Sequence, residues 1–99
     1  MAYSIASKDN KIFVHLNGEI DLERSPEARK VLLECLENTQ HLVVDLAEVD
    51  YIDSSGVASL VEALQTSRKK NIEFALTNLS DPAMKVLKLA RLDKVFKII

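Results

Sequence analysis

The stretch Asp53-Ser54-Ser55-Gly56, followed by Val57-Ala58-Ser59-Leu60-Val61-Glu62-Ala63-Leu64, decides how the rest of the chain can be organised. Apolar residues at positions 57, 60, 61 and 64 have the spacing of one face of an α-helix. The polar residues before them are of the types that begin helices. Just upstream, the apolar run 41–46 predicts a buried strand. The loop therefore lies where a strand leads into a helix, and α/β proteins commonly place function there.

Upstream of this loop the sequence predicts two strands and a helix. A weak edge strand is expected at 3–6, and the alternation of Ile12, Val14 and Leu16 predicts a second strand. Residues 18–21 are expected to form a polar loop with one apolar residue, Ile20. Ser25 is predicted to cap a helix that has proline at its first position and runs to about residue 38. Its predicted stripe is Ala28, Val31, Leu32, Cys35 and Leu36. Residues 47–52 are expected to be a connection anchored by Val49 and Ile52.

Downstream, the helix after Gly56 is expected to run to about Lys70, with Asn71 as a left-handed C-cap. A strand follows over 72–76. Ser80-Asp81-Pro82 begins a third predicted helix, which has Ala83, Val86, Leu87 and Ala90 on its inner face. A last short strand is expected at 95–99.

The resulting order is β-β-α-β-α-β-α-β, which predicts one α/β domain over residues 1–99. The expected sheet is mixed but mostly parallel, with four to five strands and helices packed mainly on one face. Parallel strands share one edge at their C-terminal ends. The loops 18–21, 50–56 and 77–81 should therefore cluster, bringing Asp21 close to Ser54.

Composition excludes several classes of function. The chain has 99 residues, of which 28% are charged, a net charge of −2 and no block of five or more like charges. Nucleic acid and anionic membranes need a concentrated basic face, so neither is expected as a partner. Cys35 is the single cysteine and is expected to be a buried, inert thiol. The sequence has no long apolar run and no basic-then-apolar leader, so we expect a cytoplasmic protein without direct membrane insertion.

The motifs of common enzymes are missing from the sequence. Asp-Ser-Ser-Gly lacks the first glycine of a G-x-S-x-G nucleophile turn, and neither His15 nor His41 is predicted to lie near Ser54. One cysteine and two separated histidines do not make a metal site. Asp21, Asp50 and Asp53 could suggest Mg²⁺, but no phosphate-binding loop accompanies them. We therefore predict no catalytic residue, no metal and no cofactor.

Ser54 has two compatible interpretations. As an N-cap, its oxygen would accept the backbone N–H of Gly56 or Val57, which contributes about 1 kcal/mol. As a phosphorylation site, it would carry its phosphate at the positive end of a helix, where an anion is tolerated. A partner that buries this edge would then meet an uncompensated charge.

The runs Val43-Val44-Asp45-Leu46 and Val49-Asp50-Tyr51-Ile52-Asp53-Ser54-Ser55-Gly56-Val57 resemble the signature of STAS domains. The likeness is to the bacterial anti-sigma factor antagonists. Gly18-Glu19-Ile20-Asp21 matches the G-E-[LI]-D loop of that family, and residues 86–96 fit the pattern of its tail. The similarity covers essentially the whole chain.

The resemblance implies a phosphorylation switch. Ser54 would be phosphorylated by an anti-sigma factor that is itself a serine kinase of the histidine-kinase-like ATPase fold, and a PP2C-type phosphatase would reverse this. The unphosphorylated protein would bind the anti-sigma factor and release sigma. The implied partner-binding residues are Asp21, Asp53, Ser54, Ser55, Gly56 and Val57. STAS proteins of this length also brace the ATPase of Mla-type phospholipid transporters, and that alternative stays open.

Overall fold

The computed structural model describes residues 3–99, and its elements follow the predicted order. The strands and helices are β1 Ser4–Lys8, β2 Lys11–Ile20, α1 Ser25–Leu36, β3 His41–Ile52, α2 Ser54–Lys69, β4 Glu73–Thr77, α3 Asp81–Leu89 and β5 Lys97–Ile98. The mixed α/β architecture predicted from the sequence is confirmed.

The strands form one sheet in the order β1-β2-β3-β4-β5. β1 pairs with β2 in antiparallel fashion, and the other three pairs are parallel. One helix connects each parallel pair, and each step along the sheet goes in the same direction. Since such crossovers are almost always right-handed, this order places the helices on one face.

The core lies between that face and the three helices. Alternate residues of the central strands are fully buried, among them Val14, Leu16, Leu42, Val44, Leu46 and Leu76. Leu32, Leu60 and Leu87 contribute the matching side chains from α1, α2 and α3. Burying one such leucine contributes about 1.5–3 kcal/mol, so this shared core is what holds the helices on the sheet.

Both central strands continue further than the sequence predicts. Residues 18–20 belong to β2 and residues 47–52 to β3, so the predicted polar loop and connection are wrong at these positions. Between His15 and Asn17 the register advances two residues on β2 and three on β3, from Asp45 to Glu48. A second shift follows Gly18, which has a φ of 69°. These two β3 bulges break the period-two pattern that identifies a strand.

Several predicted positions are corrected by the structure. Arg24, not Ser25, is the residue before α1, and the Ser25 hydroxyl caps no amide among the described residues. Val31 and Val86 are only partly buried, and Ala90 is exposed. The anchors Val49 and Ile52 are buried as expected, at 1% and 2% exposure.

Candidate functional site

Two polar segments meet at the C-terminal edge of the sheet. Ile20 pairs with Ile52 at the end of the β2–β3 ladder, and the Asp53 N–H then donates to the Ile20 carbonyl at 3.3 Å. Asp21 and Asp53 therefore leave the sheet side by side, as connectivity predicted. Gly56 completes the junction, because a Cβ there would lie 2.5 Å from the Ile20 carbonyl oxygen.

The third predicted loop, 77–81, contacts β3 at Asp45, Leu46 and Val49, upstream of Asp53. β4 pairs with β3 only as far as Asp45–Thr77, eight residues before Asp53. Beyond that point the Ser80 N–H donates to the Leu46 carbonyl at 3.2 Å, and the Ser80 hydroxyl donates to the Val49 carbonyl at 2.7 Å. The edge that carries Asp21 and Asp53 is thus built from β2 and β3, and Ser80 ties α3 to the side of β3.

Asp53 is the N-cap of α2, and Ser54 is the first helical residue. The Asp53 Oδ1 accepts the N–H groups of Ser55 and Gly56 at 2.9 and 3.2 Å. The Asp53 carbonyl accepts the Val57 N–H at 2.9 Å. The prediction that Ser54 itself caps the helix is wrong, because the aspartate before it already holds these amides.

The side chains of the Asp-Ser-Ser-Gly-Val run differ in exposure. Ser54 is exposed and Ser55 is half-buried, whereas Gly56 and Val57 are buried. A shallow groove continues from Ser54 along α2 past the exposed Ala58. Of the two serine hydroxyls, that of Ser54 is the more accessible to another protein.

Asp21 organises the turn that leads from β2 into α1. Its Oδ1 accepts the N–H groups of Glu23 and Arg24 at 3.1 and 3.0 Å. Its carbonyl accepts the N–H groups of Arg24 and Ser25 at 3.2 and 2.7 Å. At the far end of the turn, the Ser59 hydroxyl of α2 donates to the Ser25 carbonyl at 3.3 Å. The turn is consequently held beside the first turns of α2.

The edge around Ser54 is strongly acidic. Six carboxylates lie on the last residues of β2 and β3 or just beyond them: Glu19, Asp21, Glu23, Glu48, Asp50 and Asp53. Besides the two histidines, residues 12–28 and 41–67 contain one Lys or Arg residue, Arg24. Its guanidinium lies 3.0 Å from where a Cβ on Gly18 would be, close to the Tyr3 hydroxyl. On the outer surface of α1, Arg29 is held by Glu62 at 2.7 Å, which lowers the pKa of Glu62.

The histidines and the cysteine lie elsewhere in the fold. His15 Nδ1 is 3.5 Å from Asp45 Oδ2, in the middle of the sheet. His41 begins β3 at the opposite edge, where partial burial and then Lys11 lower its pKa. Cys35 is buried in the core, and burial raises the pKa of its thiol. Within residues 3–99 no set of three potential ligands is arranged to hold a metal ion. No helix of that range is long and apolar enough to cross a bilayer.

Two exposed apolar side chains at this edge were not singled out from the sequence. Leu22 is 74% exposed in the turn after β2, and Tyr51 is 50% exposed near the end of β3. Tyr51 lies beside Glu19 in the sheet, one residue out of phase with the buried pair Ile20–Ile52, so it faces away from the helices. The sequence did contain one indication of an exposed Leu22, because this leucine stands between two acidic residues in a polar turn.

The geometry agrees with comparisons to known proteins. The model of the family described as "STAS domain" matches residues 3–99. The chain is 28% identical to the anti-sigma-B factor antagonist of Bacillus subtilis over 94 residues, covering 95% of this chain and 86% of that protein. It is 30% identical to the protein of the same name from Listeria monocytogenes over 89 residues, covering 88% and 77%.

Solved structures show the same fold. The anti-sigma factor antagonist SpoIIAA in its unphosphorylated form superposes with a TM-score of 0.80 at 17% identity, covering 99% of this chain and 88% of that one. Its phosphorylated form, from Bacillus, superposes with a TM-score of 0.75 at 17% identity, covering 99% and 91%.

Proposed function

The chain belongs to the STAS domain family, and from that premise we propose that it is an anti-sigma factor antagonist that works by partner switching. Its unphosphorylated form binds an anti-sigma factor and thereby frees a sigma factor. Phosphorylation of Ser54 blocks that binding. The chain is a binding module of the cytoplasm rather than an enzyme.

The observation that carries this proposal is the placement of Ser54. Its side chain is exposed on the first turn of α2. It directly follows Asp53, which leaves the sheet beside Asp21. A kinase can reach such a hydroxyl without unfolding the helix, and a partner that covers the edge must bury it. The similarity to named anti-sigma factor antagonists supplies the class of partner.

The same geometry explains why phosphate would act on the complex rather than on the fold. A phosphate group adds roughly −1.5 to −2 charges. The amides of Ser55 and Gly56 are already bonded to Asp53, so the helix start offers this phosphate few free donors. Arg24, the basic residue of the neighbouring turn between β2 and α1, lies against Gly18 and Tyr3. The new charge would therefore lie on the exposed edge, next to the carboxylate of Asp53.

Burying such a charge in an interface is costly. Leaving a charged group unpaired in a complex costs about 2–5 kcal/mol, or roughly thirtyfold to several thousandfold in affinity. A loss of affinity of this size is large enough for an on–off switch. The kinase is proposed to be the anti-sigma factor itself, a serine kinase of the histidine-kinase-like ATPase fold, and the reversing enzyme a PP2C-type phosphatase.

Phosphate mapping tests the site. The chain is incubated with ATP and each purified anti-sigma factor kinase of its source organism, and the products are fragmented in a mass spectrometer. The wild type and Ser55→Ala should each gain one phosphate, and Ser54→Ala should gain none. Phosphate on Ser55, or on no residue, would refute the proposed switch.

Binding by the same variants tests the mechanism. Ser54→Ala should bind the kinase regardless of ATP, and Ser54→Asp should not bind. If Ser54→Asp binds as tightly as the wild type, charge is not the switch. Stable co-purification with an ABC-type ATPase, unaffected by Ser54→Ala, would instead favour the Mla-type alternative.

A further inference from the structure

Leu22 is an apolar side chain that the fold does not use. It is 74% exposed, and it lies between Asp21 and Glu23 in the turn that joins β2 to α1. Single exposed leucines are common on protein surfaces. The position of this one is distinctive, because its turn leaves the sheet next to Asp53 and runs beside the start of α2.

The turn that carries Leu22 is held in shape by its own hydrogen bonds. Asp21 accepts four backbone N–H bonds through Oδ1 and its carbonyl, from residues 23, 24 and 25. Little backbone freedom is then left to lose when a partner covers the turn. A preorganised loop binds more tightly than a mobile one because the entropy of ordering has already been lost in folding.

The charges around Leu22 define the partner that fits it. Asp21 and Glu23 flank it directly, and Asp53 emerges beside Asp21. An apolar side chain surrounded by carboxylates fits an apolar socket rimmed by Lys or Arg. A partner with an acidic rim would be repelled, and a purely apolar one would leave the carboxylates without hydrogen bonds.

We propose that Leu22 is the apolar anchor of the anti-sigma factor interface, inserting into an apolar socket with a basic rim on the kinase. This inference rests on the proposed function and names the recognition chemistry of the same edge. The anchor contributes affinity, the carboxylates contribute orientation and association rate, and Ser54 supplies the switch. Leu22 keeps its role whether or not Ser54 is the phosphorylated residue.

The test uses the anti-sigma factor kinase that binds the wild-type chain, and calorimetry gives the Kd. Leu22→Ala should weaken binding by roughly 10- to 30-fold, the range for truncating an interface anchor. Leu22→Met should keep most of the wild-type affinity, because methionine is also a large apolar side chain. The matched control is Leu89→Ala on α3, since Leu89 is 75% exposed and lies in a helix outside this edge. It should bind like the wild type.

Salt separates the anchor from the carboxylates around it. Raising NaCl from 50 to 300 mM should increase the Kd for the kinase by the same factor in the wild type and in Leu22→Ala, because salt does not screen an apolar contact. Glu23→Gln should bind with a smaller salt dependence. Thermal unfolding of Leu22→Ala should match the wild type, which excludes a folding defect.

Three results would overturn the inference. If Leu22→Ala and Leu89→Ala bind alike, Leu22 is not the anchor, and the proposed function stands. If sedimentation shows concentration-dependent self-association that Leu22→Ala abolishes, the socket belongs to a second copy of this chain. If the wild type binds none of the kinases, the proposed function fails and this inference fails with it.

Discussion

At the scale of single residues, the site depends on which side chain caps α2. Asp53, Ser54 and Ser55 are all residue types that cap helices, so the sequence could not choose among them. In the structure Asp53 takes the extended cap conformation, with φ −109° and ψ −170°. This leaves Ser54 free of a structural task. The residue that shapes the loop and the residue proposed to be modified are neighbours, and each can be tested alone.

Substitutions of Asp53 should separate shape from charge. Asp53→Ala removes the acceptor for the Ser55 and Gly56 amides and should lower the free energy of unfolding by about 0.5–2 kcal/mol. Asp53→Asn keeps a cap oxygen and should lose much less. Urea denaturation followed by circular dichroism measures both. Equal stability of Asp53→Ala and the wild type would show that the cap contributes nothing.

Gly56 should not tolerate even a methyl group. Its Cβ would meet the Ile20 carbonyl oxygen at 2.5 Å and the Ile52 side chain at 2.6 Å. Overpacking of this kind costs about 1–3 kcal/mol, and the gain in helix propensity from glycine to alanine offsets at most about 1 kcal/mol of it. Gly56→Ala should therefore unfold at lower urea concentration. Ala58→Ser, at an exposed position of α2, is the control. A stabilised Gly56→Ala would contradict the close packing of this junction.

At the scale of elements, the two central strands show where sequence patterns fail. The helices and the cores of the strands were predictable because their apolar periods are regular. The ends of β2 and β3 were not, because two bulges place the buried residues Leu46, Val49 and Ile52 three apart. Three-residue spacing is not the signature of a strand. The meeting of Asp21 with Asp53 was still predictable, because it follows from parallel connectivity alone.

Ser80 shows how a side chain replaces strand pairing. β4 no longer pairs with β3 beyond Asp45, and the Ser80 hydroxyl donates to the Val49 carbonyl while accepting the Ala83 N–H at 3.3 Å. The predicted start of the third helix at Ser80-Asp81-Pro82 is confirmed, and the bond from the Ser80 hydroxyl to Val49 was not visible in the sequence. The length of β3 decides that bond, so local pattern could not reveal it.

Ser80→Ala should lose both interactions, at about 1–3 kcal/mol in the free energy of unfolding. Ser80→Asp should recover the cap only, because a carboxylate accepts the Ala83 N–H but cannot donate to Val49. In urea denaturation, the free energy of unfolding of Ser80→Asp should lie between those of Ser80→Ala and the wild type. Ser80→Asp that matches the wild type would mean that the bond to Val49 contributes nothing.

At the scale of the whole molecule, charge is unevenly distributed along the strand direction. The C-terminal edge of β2 and β3 carries the carboxylates around Ser54. The other edge carries Lys8, Lys11, Arg68, Lys69 and Lys70 together with the acids Asp9, Glu34, Glu37 and Glu73, so its charges nearly balance. The net charge of −2 conceals this separation. The linear sequence does not reveal this separation, because the acids belong to segments that only the sheet brings together.

His41 reports on the opposite edge of the sheet, at the start of β3. Burial and the charge of Lys11 lower its pKa in the folded protein below the usual 6.5. The unfolded chain then binds the proton more readily, so stability falls as pH drops below about 6.5 and levels off below the folded pKa. Between pH 7.5 and 5, His41→Gln should lose less free energy of unfolding than the wild type, as measured by urea denaturation. Lys11→Met should also lose less than the wild type, because the charge that lowers the pKa of His41 is removed. Identical pH dependence of His41→Gln and the wild type would contradict this placement.

The measurement that tests the central claim most directly compares one protein in two states. The chain is phosphorylated stoichiometrically by its kinase, repurified, and titrated in the calorimeter against fresh kinase with ADP present, alongside the unmodified chain. The phosphorylated form should bind at least about thirtyfold more weakly, with an unchanged circular dichroism spectrum. Equal affinity of the two forms would contradict the account, because the acidic edge around Ser54 would then not be the surface that the partner buries.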